Sequence, residues 1–233
     1  MGSVVGNVKR IYRAGVPKAI RHSGPVMWFK RVWLSKLLPH DALYDREYYE
    51  RTVEGPAVKS SAVMASSIVT EFGPRSAVDV GCGTGALLAA LRDRGCDVFG
   101  LEYSEAGIEF CRSRKLDVRK FDLEHDALGE RRTFDVASSM EVAEHLPERV
   151  ADRFVDLLAA FAPVIVFTAA RPGQGGSDHV NEQPAEYWIA KFAARGFAHD
   201  PATASRMAAA WRESGLVANW YWENLMIFRR TNR

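Results

Sequence analysis

The chain has 233 residues, of which 47% are apolar, and this is enough to bury one sizeable hydrophobic core. No apolar run approaches the roughly 18 residues that a membrane-spanning helix requires, and no segment resembles a secretory signal. The three cysteines lack metal-ligand spacing and leave an odd thiol, which favours a reducing compartment over a disulfide framework. Composition therefore predicts a soluble, cytoplasmic protein with one main domain.

The net charge of +2 is unevenly distributed along the chain. The first forty residues contain eight Lys or Arg and no Asp or Glu, whereas the remainder carries 23 basic and 29 acidic residues. Apolar residues interleave with these basic residues, which predicts one or two short amphipathic helices. Three interpretations stay open: a helical cap that packs on the body, an arm that contacts an anionic surface or substrate, and a transit peptide.

The rest of the chain alternates short apolar stretches with longer segments of helical periodicity, which is typical of βαβ units. Strands are predicted at residues 77–80, 97–101, 116–120, 134–137, 164–167 and 220–229. Helices are predicted at residues 57–72, 86–94, 105–114, 149–161, 184–195 and 202–212. The pattern predicts an α/β protein with a doubly wound, mostly parallel sheet and helices on both faces.

The stretch VDVGCGTG, residues 78–85, runs from the first predicted strand into a turn of alternating glycines. In an open parallel sheet, ligands bind beyond the carboxyl ends of the strands, and glycines let the backbone approach them. Glu102, at the end of the next strand, is placed to accept hydrogen bonds from both hydroxyls of a ribose. Asp79 precedes the first glycine and favours a positively charged ligand over a pyrophosphate. The loop predicts a cationic adenosine compound, although a tight turn alone would also explain the glycines.

At these residues the sequence resembles the class I S-adenosylmethionine-dependent methyltransferases, most closely the small-molecule O-methyltransferases of the ubiquinone-biosynthesis type. VDVGCGTG matches the first motif of that family, and LEYS at residues 101–104 matches its ribose-binding acidic position. RKFDLE at 119–124 resembles the adenine motif, and FDVASSMEVAEHLPE at 134–148 resembles the segment after the fourth strand. The resemblance implies a Rossmann-like methyltransferase fold with a seven-stranded sheet. It further implies a helical extension or lid over residues 1–56 and a methyltransferase domain over residues 57–233.

The resemblance also implies S-adenosylmethionine as cofactor and S-adenosylhomocysteine as product. Asp79 would meet the amino group of the donor, Glu102 the ribose and Asp122 the adenine amino group. Two alternatives stay open, with Asp122 as a plain turn residue and Tyr103 as a core aromatic. The full set of implied cofactor contacts is Asp79, Gly81, Cys82, Gly83, Glu102, Tyr103, Asp122, Leu123, Ser139 and Met140.

Methyl transfer from a sulfonium needs little covalent help, because the enzyme mainly aligns the reactants and excludes water. An acceptor hydroxyl benefits from a general base, and histidine titrates in the suitable range. Two catalytic candidates compete: His145, which follows the fourth predicted strand, and His179, in the glycine-rich loop at residues 173–184. The alternatives are that His145 holds the start of a helix and that the residues around His179 cap the helix that follows.

Acceptor contacts are predicted at Tyr44, Tyr48, Asn181 and Glu182. The two tyrosines belong to an aromatic segment that either folds over the donor as a lid or packs as an ordinary amphipathic helix. Asp178, His179 and Glu182 include residue types that bind divalent ions, but the cluster is local and no metal is predicted. The aromatic residues near the C-terminus are predicted to build the core and the sheet.

Together these observations predict a methyltransferase that acts on a hydroxyl or carboxyl oxygen of a small molecule. A more specific form of this hypothesis is that the acceptor is sugar- or lipid-linked. An RNA- or ribosome-directed methyltransferase and a non-catalytic donor-binding module stay as alternatives. The acidic body and the tetrapeptide SSME after the fourth strand, in place of an N-P-P-Y-like motif, disfavour nucleic acid as a partner. Contact with an anionic surface through residues 1–40, the oligomeric state and the identity of the acceptor stay open.

Overall fold

The computed structural model describes residues 46–127, 132–176 and 178–231. The basic segment over residues 1–40 and the predicted acceptor residue Tyr44 lie outside the described residues. Within the described ranges, no helix combines the length and the apolar character needed to cross a membrane.

One sheet of seven strands forms the centre of the described part of the chain, as predicted. The order across the sheet is β3-β2-β1-β4-β5-β7-β6, with β7 antiparallel to both neighbours and the other pairs parallel. The first strand, β1, lies in the middle of the sheet next to β4, and the order of the strands reverses direction between them. Ligands of such sheets bind beyond the carboxyl ends of the strands at this point. In chain order the strands are β1 (Ser76–Val80), β2 (Asp97–Glu102), β3 (Val118–Lys120), β4 (Val136–Met140), β5 (Val164–Thr168), β6 (Phe197–His199) and β7 (Met226–Arg230).

Helices cover both faces of the sheet. The first, α1, is continuous through Arg46–Tyr48, a π-helical segment Tyr49–Val53 and Glu54–Phe72. The others are α2 (Ala86–Arg92), α3 (Glu105–Ser113), α4 (Ala151–Phe161), α5 (Ala185–Ala193), α6 (Pro201–Ser214) and α7 (Asn219–Glu223). Buried side chains of α4 and α5 belong to one apolar cluster, and those of α1, α2 and α6 belong to a second. This confirms the predicted doubly wound α/β fold.

The two clusters explain why the central strands are apolar on both sides. Val78 and Val80 belong to the cluster with α4 and α5, whereas Ala77 belongs to the opposite one. Phe167 in β5 packs against Trp188 of α5, with ring centroids 5.3 Å apart. A strand that is buried on both faces stabilises the fold through the side chains on each face. Its sequence is therefore apolar throughout and does not alternate between apolar and polar residues.

Helix α1 begins upstream of the predicted start at residue 57. Its π-helical segment lies just before Pro56, which has no backbone N–H and whose ring clashes with the carbonyl four residues earlier. The extra residue per turn in a π-helix relieves that conflict. The predicted domain boundary after residue 56 falls inside this helix, and the division of the chain stays a prediction.

The prediction of one long strand over residues 220–229 is wrong in its first half. Residues Asn219–Glu223 form α7, and the strand begins at Met226. The consecutive aromatic residues fit a helix because Trp222 packs on the core while Trp220 lies on a cavity wall. Strand β6 was not predicted, because its three residues follow directly on the glycine that ends a helix.

Candidate active site

The glycine turn after β1 has the left-handed backbone that its sequence predicts. Gly81, Gly83 and Gly85 have φ values of 75°, 55° and 74°. The amide of Gly81 donates to the carbonyl of Leu101, at the end of β2, over 2.8 Å. A Cβ atom at Gly81 would lie 2.5 Å from Cγ2 of Val142. The turn therefore brings bare backbone to the carboxyl ends of β1 and β2, and a side chain has no room there.

Glu102 ends β2 and is buried beside this turn. One carboxylate oxygen accepts from the amide of Gly83 over 2.7 Å. The other accepts from the amide of Ser104 over 2.8 Å and from the hydroxyl of Tyr49 over 3.2 Å. Burial raises the pKa of Glu102, and these hydrogen bonds oppose the rise. The predicted ribose-binding acid thus also fixes the glycine turn and the N-terminal helix.

Asp79 lies inside the sheet and accepts a hydrogen bond from the hydroxyl of Ser138 over 2.7 Å. Burial raises its pKa to about 7, against the opposing effect of the Ser138 bond. Asp79, Cys82 and Ser139 are absent from the wall of the large cavity described next. The Ser139 hydroxyl donates to the carbonyl of Val80, and the Cys82 thiol lies 3.9 Å from the Cys111 thiol. Their predicted cofactor contacts stay predictions.

A cavity of about 710 Å³ opens at the carboxyl ends of β1, β2 and β4. Asp122, on its wall, is held by the ring of His125 at 3.0 Å and by the amide of Glu124. Partial burial raises the pKa of Asp122, but these two bonds outweigh it and leave the pKa below its ordinary value. Seven of the predicted cofactor contacts line the cavity together: Gly81, Gly83, Glu102, Tyr103, Asp122, Leu123 and Met140. We call this part of the cavity the donor end.

The other part of the cavity, which we call the acceptor end, is built around the loop after β4. Glu141 in this loop has a left-handed φ of 55°, an uncommon conformation for a residue with a side chain. Its amide donates to the hydroxyl of Thr168, over 2.9 Å. Its carboxylate accepts from the side-chain amides of Asn224 and Gln174, both over 3.2 Å. Contacts from three distant segments therefore fix this turn.

Glu144 is the most deeply buried acid of the acceptor end, with 0% of its surface exposed. Within the described residues, neither of its carboxylate oxygens has a hydrogen-bond partner. Burial raises its pKa well above the ordinary value, and the nearby charge of Glu141 raises it further. The main-chain carbonyl of Glu144 accepts from the amides of Val180 and Asn181, over 2.8 and 3.0 Å. This link holds the loop after β5 against the loop after β4.

His145 and His179, the two predicted catalytic residues, come together at Glu144. Their rings meet edge to face with centroids 5.0 Å apart. One ligand atom from each of Glu144, His145 and His179 lies within 4.8 Å of the others. Nδ1 of His179 is 2.9 Å from a carboxylate oxygen of Glu182, and Nδ1 of His145 is 3.3 Å from the carbonyl of Asp178. The structure therefore places both candidates in one cluster.

The predicted acceptor contacts separate into two groups. Tyr48 lines the cavity, and burial, followed by the charge of Asp178, raises its pKa to about 12. Asn181 and Glu182 do not line it. Glu182 accepts from the amides of Gly173 and Gly175 at 2.8 and 2.9 Å, so it organises the loop. The helix-capping alternative is not observed, since α5 starts without a side-chain cap.

Several residues of the acceptor end were missed from the sequence. Trp220 and Tyr221, which were predicted to build the core and the sheet, lie in α7 and line the cavity, and Tyr221 also packs against the core. The signal for Glu144 was present, since it adjoins His145 in a loop after a central strand. No local signal marks α7 or Gln174, which reach the cavity through the folding of distant segments. The unpredicted wall residues of the acceptor end are Glu141, Glu144, Gln174, Trp220, Tyr221 and Glu223.

Comparison with known families decides what kind of protein has this geometry. A family model described as "Methyltransferase domain" matches residues 60–217. The chain belongs to this methyltransferase family. The matched range covers all the strands from β1 to β6 and the loops that form both ends of the cavity. The predicted class, an S-adenosylmethionine-dependent methyltransferase, is confirmed.

Curated relatives of this methyltransferase match over part of its length. A ubiquinone biosynthesis O-methyltransferase from Methylococcus capsulatus is 39% identical over 85 residues, which are 34% of this chain and 36% of the relative. Its counterpart from Hahella chejuensis is 34% identical over 102 residues, which are 41% of this chain and 39% of the relative. The match thus spans little more than a third of the length of these relatives. It does not show that this chain catalyses their reaction.

Solved structures similar to this methyltransferase show the same fold at low sequence identity. A sugar N-methyltransferase from Streptoalloteichus sp. superposes with a TM-score of 0.59 and 19% identity, covering 81% of this chain and 93% of that one. An amino pentose methyltransferase from Micromonospora echinaspora, solved with bound SAM, superposes with a TM-score of 0.58 and 20% identity, covering 81% of this chain and 97% of that one. These likenesses confirm the predicted Rossmann-like methyltransferase fold and leave the acceptor open.

Proposed function

We propose that this protein transfers the methyl group of S-adenosylmethionine to an oxygen nucleophile, a hydroxyl or carboxyl, of a small-molecule acceptor. The observation that carries the proposal is the cluster of Glu144, His145 and His179 at one end of a cavity whose other end is lined by the donor motif. A reaction that needs a donor and a proton acceptor in one enclosed space fits this arrangement.

The donor end fits S-adenosylmethionine by shape and charge. The turn at Gly81 has no room for a side chain, and Glu102 is a buried carboxylate in the position that suits ribose hydroxyls. Among the described residues of the wall there is no Lys or Arg, and the acidic ones are Glu102, Asp122, Glu124, Glu141, Glu144 and Glu223. Such a lining attracts a cationic ligand. When bound, the donor supplies an activated methyl group on a positively charged sulfur.

The acceptor end supplies a group that can take the proton of a hydroxyl. His179 is held by Glu182 at Nδ1, which is how a general base is oriented for its task. Partial burial raises the pKa of Glu182, but the bonds from His179 and from the amides of Gly173 and Gly175 outweigh it and keep Glu182 ionised. In the proposed reaction, His179 receives the proton of the acceptor hydroxyl as the acceptor oxygen bonds to the methyl carbon and the carbon–sulfur bond breaks.

The reactions of the curated relatives support oxygen as the acceptor atom without deciding it, because those relatives are O-methyltransferases of ubiquinone biosynthesis. The structural neighbours, a sugar N-methyltransferase and an amino pentose methyltransferase, support a sugar as the acceptor but do not support oxygen as its reacting atom. An acceptor of similar size fits the cavity of about 710 Å³, because ligand pockets are typically on the order of 300–1,000 Å³. A sugar- or lipid-linked hydroxyl is the version that also gives the basic N-terminal segment a use as a docking arm for an anionic group.

The test uses the full chain in two stages. Calorimetric titration with S-adenosylhomocysteine measures donor-site binding, and transfer of a labelled methyl group is then followed across alcohols, phenols, sugars, carboxylic acids, amines and a short RNA. Labelling of oxygen acceptors supports the proposal. Labelling confined to RNA or amines would overturn it, and so would a protein that does not bind S-adenosylhomocysteine.

A second measurement addresses the histidine. We expect His179→Ala to lower turnover about 100-fold or more, which is the usual contribution of a general base, and to change donor affinity less than twofold. An equal loss of donor affinity would make His179 a structural residue of the cavity and contradict its role as base.

A further inference from the structure

The acceptor end contains a buried carboxylate for which the described residues provide no partner. Both side-chain oxygens of Glu144 are buried without a hydrogen bond, and the residue lies on the cavity wall. An unpartnered charged group is costly inside a protein, so this carboxylate points to a ligand that pairs with it. We propose that the acceptor carries a protonated amine in addition to the hydroxyl that is methylated, and that this amine binds at Glu144.

Glu144 is held in position by its main chain. Its carbonyl accepts from the amides of Val180 and Asn181, over 2.8 and 3.0 Å, and these bonds tie the loop after β4 to the loop after β5. One ring nitrogen of each of His145 and His179 lies within 4.8 Å of a carboxylate oxygen of Glu144. The carboxylate is therefore fixed beside the proposed base, where an acceptor must also bind.

No lysine or arginine of the described residues lines the cavity beside Glu144, whereas the acids Glu141 and Glu223 do. The carboxylate of Glu141 accepts from two neutral side-chain amides, and that of Glu223 lies 3.3 Å from the side-chain amide of Asn219. Arg171 reaches this region, but its guanidinium donates to the main-chain carbonyl of Glu223. The acceptor end thus has an excess of negative charge, which a cationic acceptor would offset.

The pKa values of neighbouring groups reflect the same excess of negative charge. Burial raises the pKa of Glu144 well above its ordinary value, and the charge of Glu141 raises it further. Burial first, and then the charges of nearby acids that include Glu144, raise the pKa values of Tyr48 and Tyr221. The ionised form of Glu144 is therefore disfavoured unless a positive group lies beside it, and a bound ammonium group supplies that charge.

Aromatic side chains complete the surroundings that a cation prefers. Trp220 and Tyr221 of α7 and Tyr48 of α1 line the cavity, and the ring centroids of Trp220 and Tyr221 are 5.9 Å apart. The face of an aromatic ring attracts an ammonium group, and more strongly when the group is removed from water. The carboxylate and the rings together favour an ammonium group over a neutral hydroxyl at this position.

The amino group of the methyl donor is a competing partner for Glu144. The donor end has acids of its own, Glu102 and Asp122, whereas Glu144 adjoins His145 at the other end of the cavity. This separation favours the acceptor as the source of the amine. A loss of donor affinity on removal of the Glu144 charge would favour the donor instead.

A protonated amine at Glu144 also determines which acceptor atom is methylated. An ammonium nitrogen has no lone pair, so it cannot attack the methyl carbon while it stays protonated. On the methyl transfer proposed above, on which this inference rests, the hydroxyl oxygen bonds to the methyl carbon, its proton goes to His179 and the carbon–sulfur bond breaks. Glu144 binds the acceptor and takes no part in this proton transfer.

The experiment measures the binding of matched acceptors to the full chain loaded with S-adenosylhomocysteine. Calorimetry is done in an amine-free buffer with a chelator, so that no other cation takes the place of the amine. One series is glucosamine, glucose and glucuronic acid, and the other is tyramine, para-ethylphenol and para-hydroxyphenylpropionic acid. We expect the amine of at least one series to bind roughly 10–100-fold more tightly than its neutral and acidic counterparts, the usual effect of a hydrogen bond to a charged group.

Two variants test whether this preference is due to Glu144. Glu144→Gln keeps the size of the side chain and removes its charge, so the ratio of amine affinity to neutral affinity should fall at least tenfold. Glu213→Gln, which changes an exposed acid on α6, is the matched control and should keep the ratio of the natural chain. Circular dichroism identifies a variant that fails to fold, and the two acceptor series on the natural chain test the inference without any variant.

The outcomes separate this inference from the proposed function. Equal binding of amine and neutral forms in both series, or binding of neither amine, would overturn the inference and would indicate that a protonated His145 or His179 offsets Glu144. A Glu144→Gln variant that loses S-adenosylhomocysteine affinity but keeps the amine preference would also overturn it. A labelled methyl group found on the nitrogen of a preferred amine would instead refute oxygen transfer and would leave amine binding at Glu144 standing.

Discussion

The donor end and the acceptor end of the cavity satisfy their polar groups in different ways. At the donor end, the carboxylate of Glu102 accepts three hydrogen bonds from residues of the protein itself. At the acceptor end, the carboxylate of Glu144 accepts none from the described residues although it is fully buried. Within the described residues, the donor end therefore satisfies its buried carboxylate, whereas the acceptor end leaves its buried carboxylate without a hydrogen bond.

The same contrast extends to how each end is assembled. The donor end comes from consecutive βα units, where a strand delivers each residue to the same edge of the sheet. The acceptor end joins the loop after β4, the loop after β5 and α7, which are far apart in the sequence. A local motif is sufficient to build the first, but the second depends on tertiary packing.

The largest effect that we expect is a pH dependence of stability caused by Asp79, the buried acid inside the strand that leads into the donor end. Asp79 has a folded-state pKa of about 7 because of burial, against an ordinary value of 3.8. The folded state retains this proton between pH 4 and 7 while the unfolded state loses it, so stability falls as pH rises through that window. Compared with Asp79→Asn, the natural chain should lose up to about 4 kcal/mol of unfolding free energy over this range.

Denaturant unfolding at a series of pH values measures this difference. Asp135→Asn is the control, because hydrogen bonds donated by the backbone amides of Arg75 and Ser76 lower the pKa of Asp135. Its effect on stability therefore changes with pH in the opposite direction. The stability that Asp135 contributes is present above its ordinary pKa and is lost as pH falls. A natural chain and an Asp79→Asn variant with parallel pH profiles would show that Asp79 is not buried as a neutral acid.

The next effect concerns the backbone of the donor end. Gly81→Ala introduces a Cβ at a left-handed φ and 2.5 Å from the branched side chain of Val142. The turn can relieve strain and overpacking of about 3 kcal/mol only by moving, and restoring it on binding should lower donor affinity up to roughly 100-fold. Gly95→Ala shares the positive φ but has nothing within 4 Å, so calorimetry should find its donor affinity unchanged. Similar affinities for both variants would mean that the turn does not contact the donor.

A smaller effect is expected from the carboxylate at the ribose position. Glu102→Gln replaces one acceptor oxygen by an NH2 group that faces the N–H groups of Gly83 and Ser104 or the hydroxyl of Tyr49. The affinity for the methyl donor should therefore fall roughly tenfold. Glu105→Gln removes an exposed carboxylate paired with Lys120 and should change affinity little. If both substitutions had equal effects, general loss of negative charge would explain the result better than a ribose contact.

The smallest effect tests whether α7 belongs to the acceptor end. Trp220→Ala should raise the KM for the acceptor several-fold while donor affinity stays constant, because Trp220 lines the cavity. Trp222→Ala, on the same helix, removes a side chain that packs on the core instead. It should lower the unfolding temperature without a change in the KM. A KM raised equally by both would point to a displaced helix and would remove the distinction between the two tryptophans.

The sequence predicted the glycine turn and the position of Glu102 because short-range rules determine them. Alternating glycines after an apolar strand specify the turn, and the βα spacing brings Glu102 to the same edge as Gly81. It also predicted that His145 and His179 both lie at the carboxyl edge of the sheet. It could not predict that they meet at Glu144, since this contact depends on hydrogen bonds between two loops. Nor could it predict α7, because an unbroken aromatic run fits a buried strand and a half-buried helix equally well.

The hydroxyl of Tyr49 has a consequence for the order of events at the donor end. It occupies a carboxylate oxygen of Glu102 that a ribose hydroxyl would also use, and it projects from the N-terminal helix. In the proposed ribose contact, a sugar hydroxyl that uses this oxygen must share it with the tyrosine or displace the tyrosine. The helix and the incoming sugar would then compete for one acceptor position, and occupancy of the pocket would be coupled to the seating of residues 46–53.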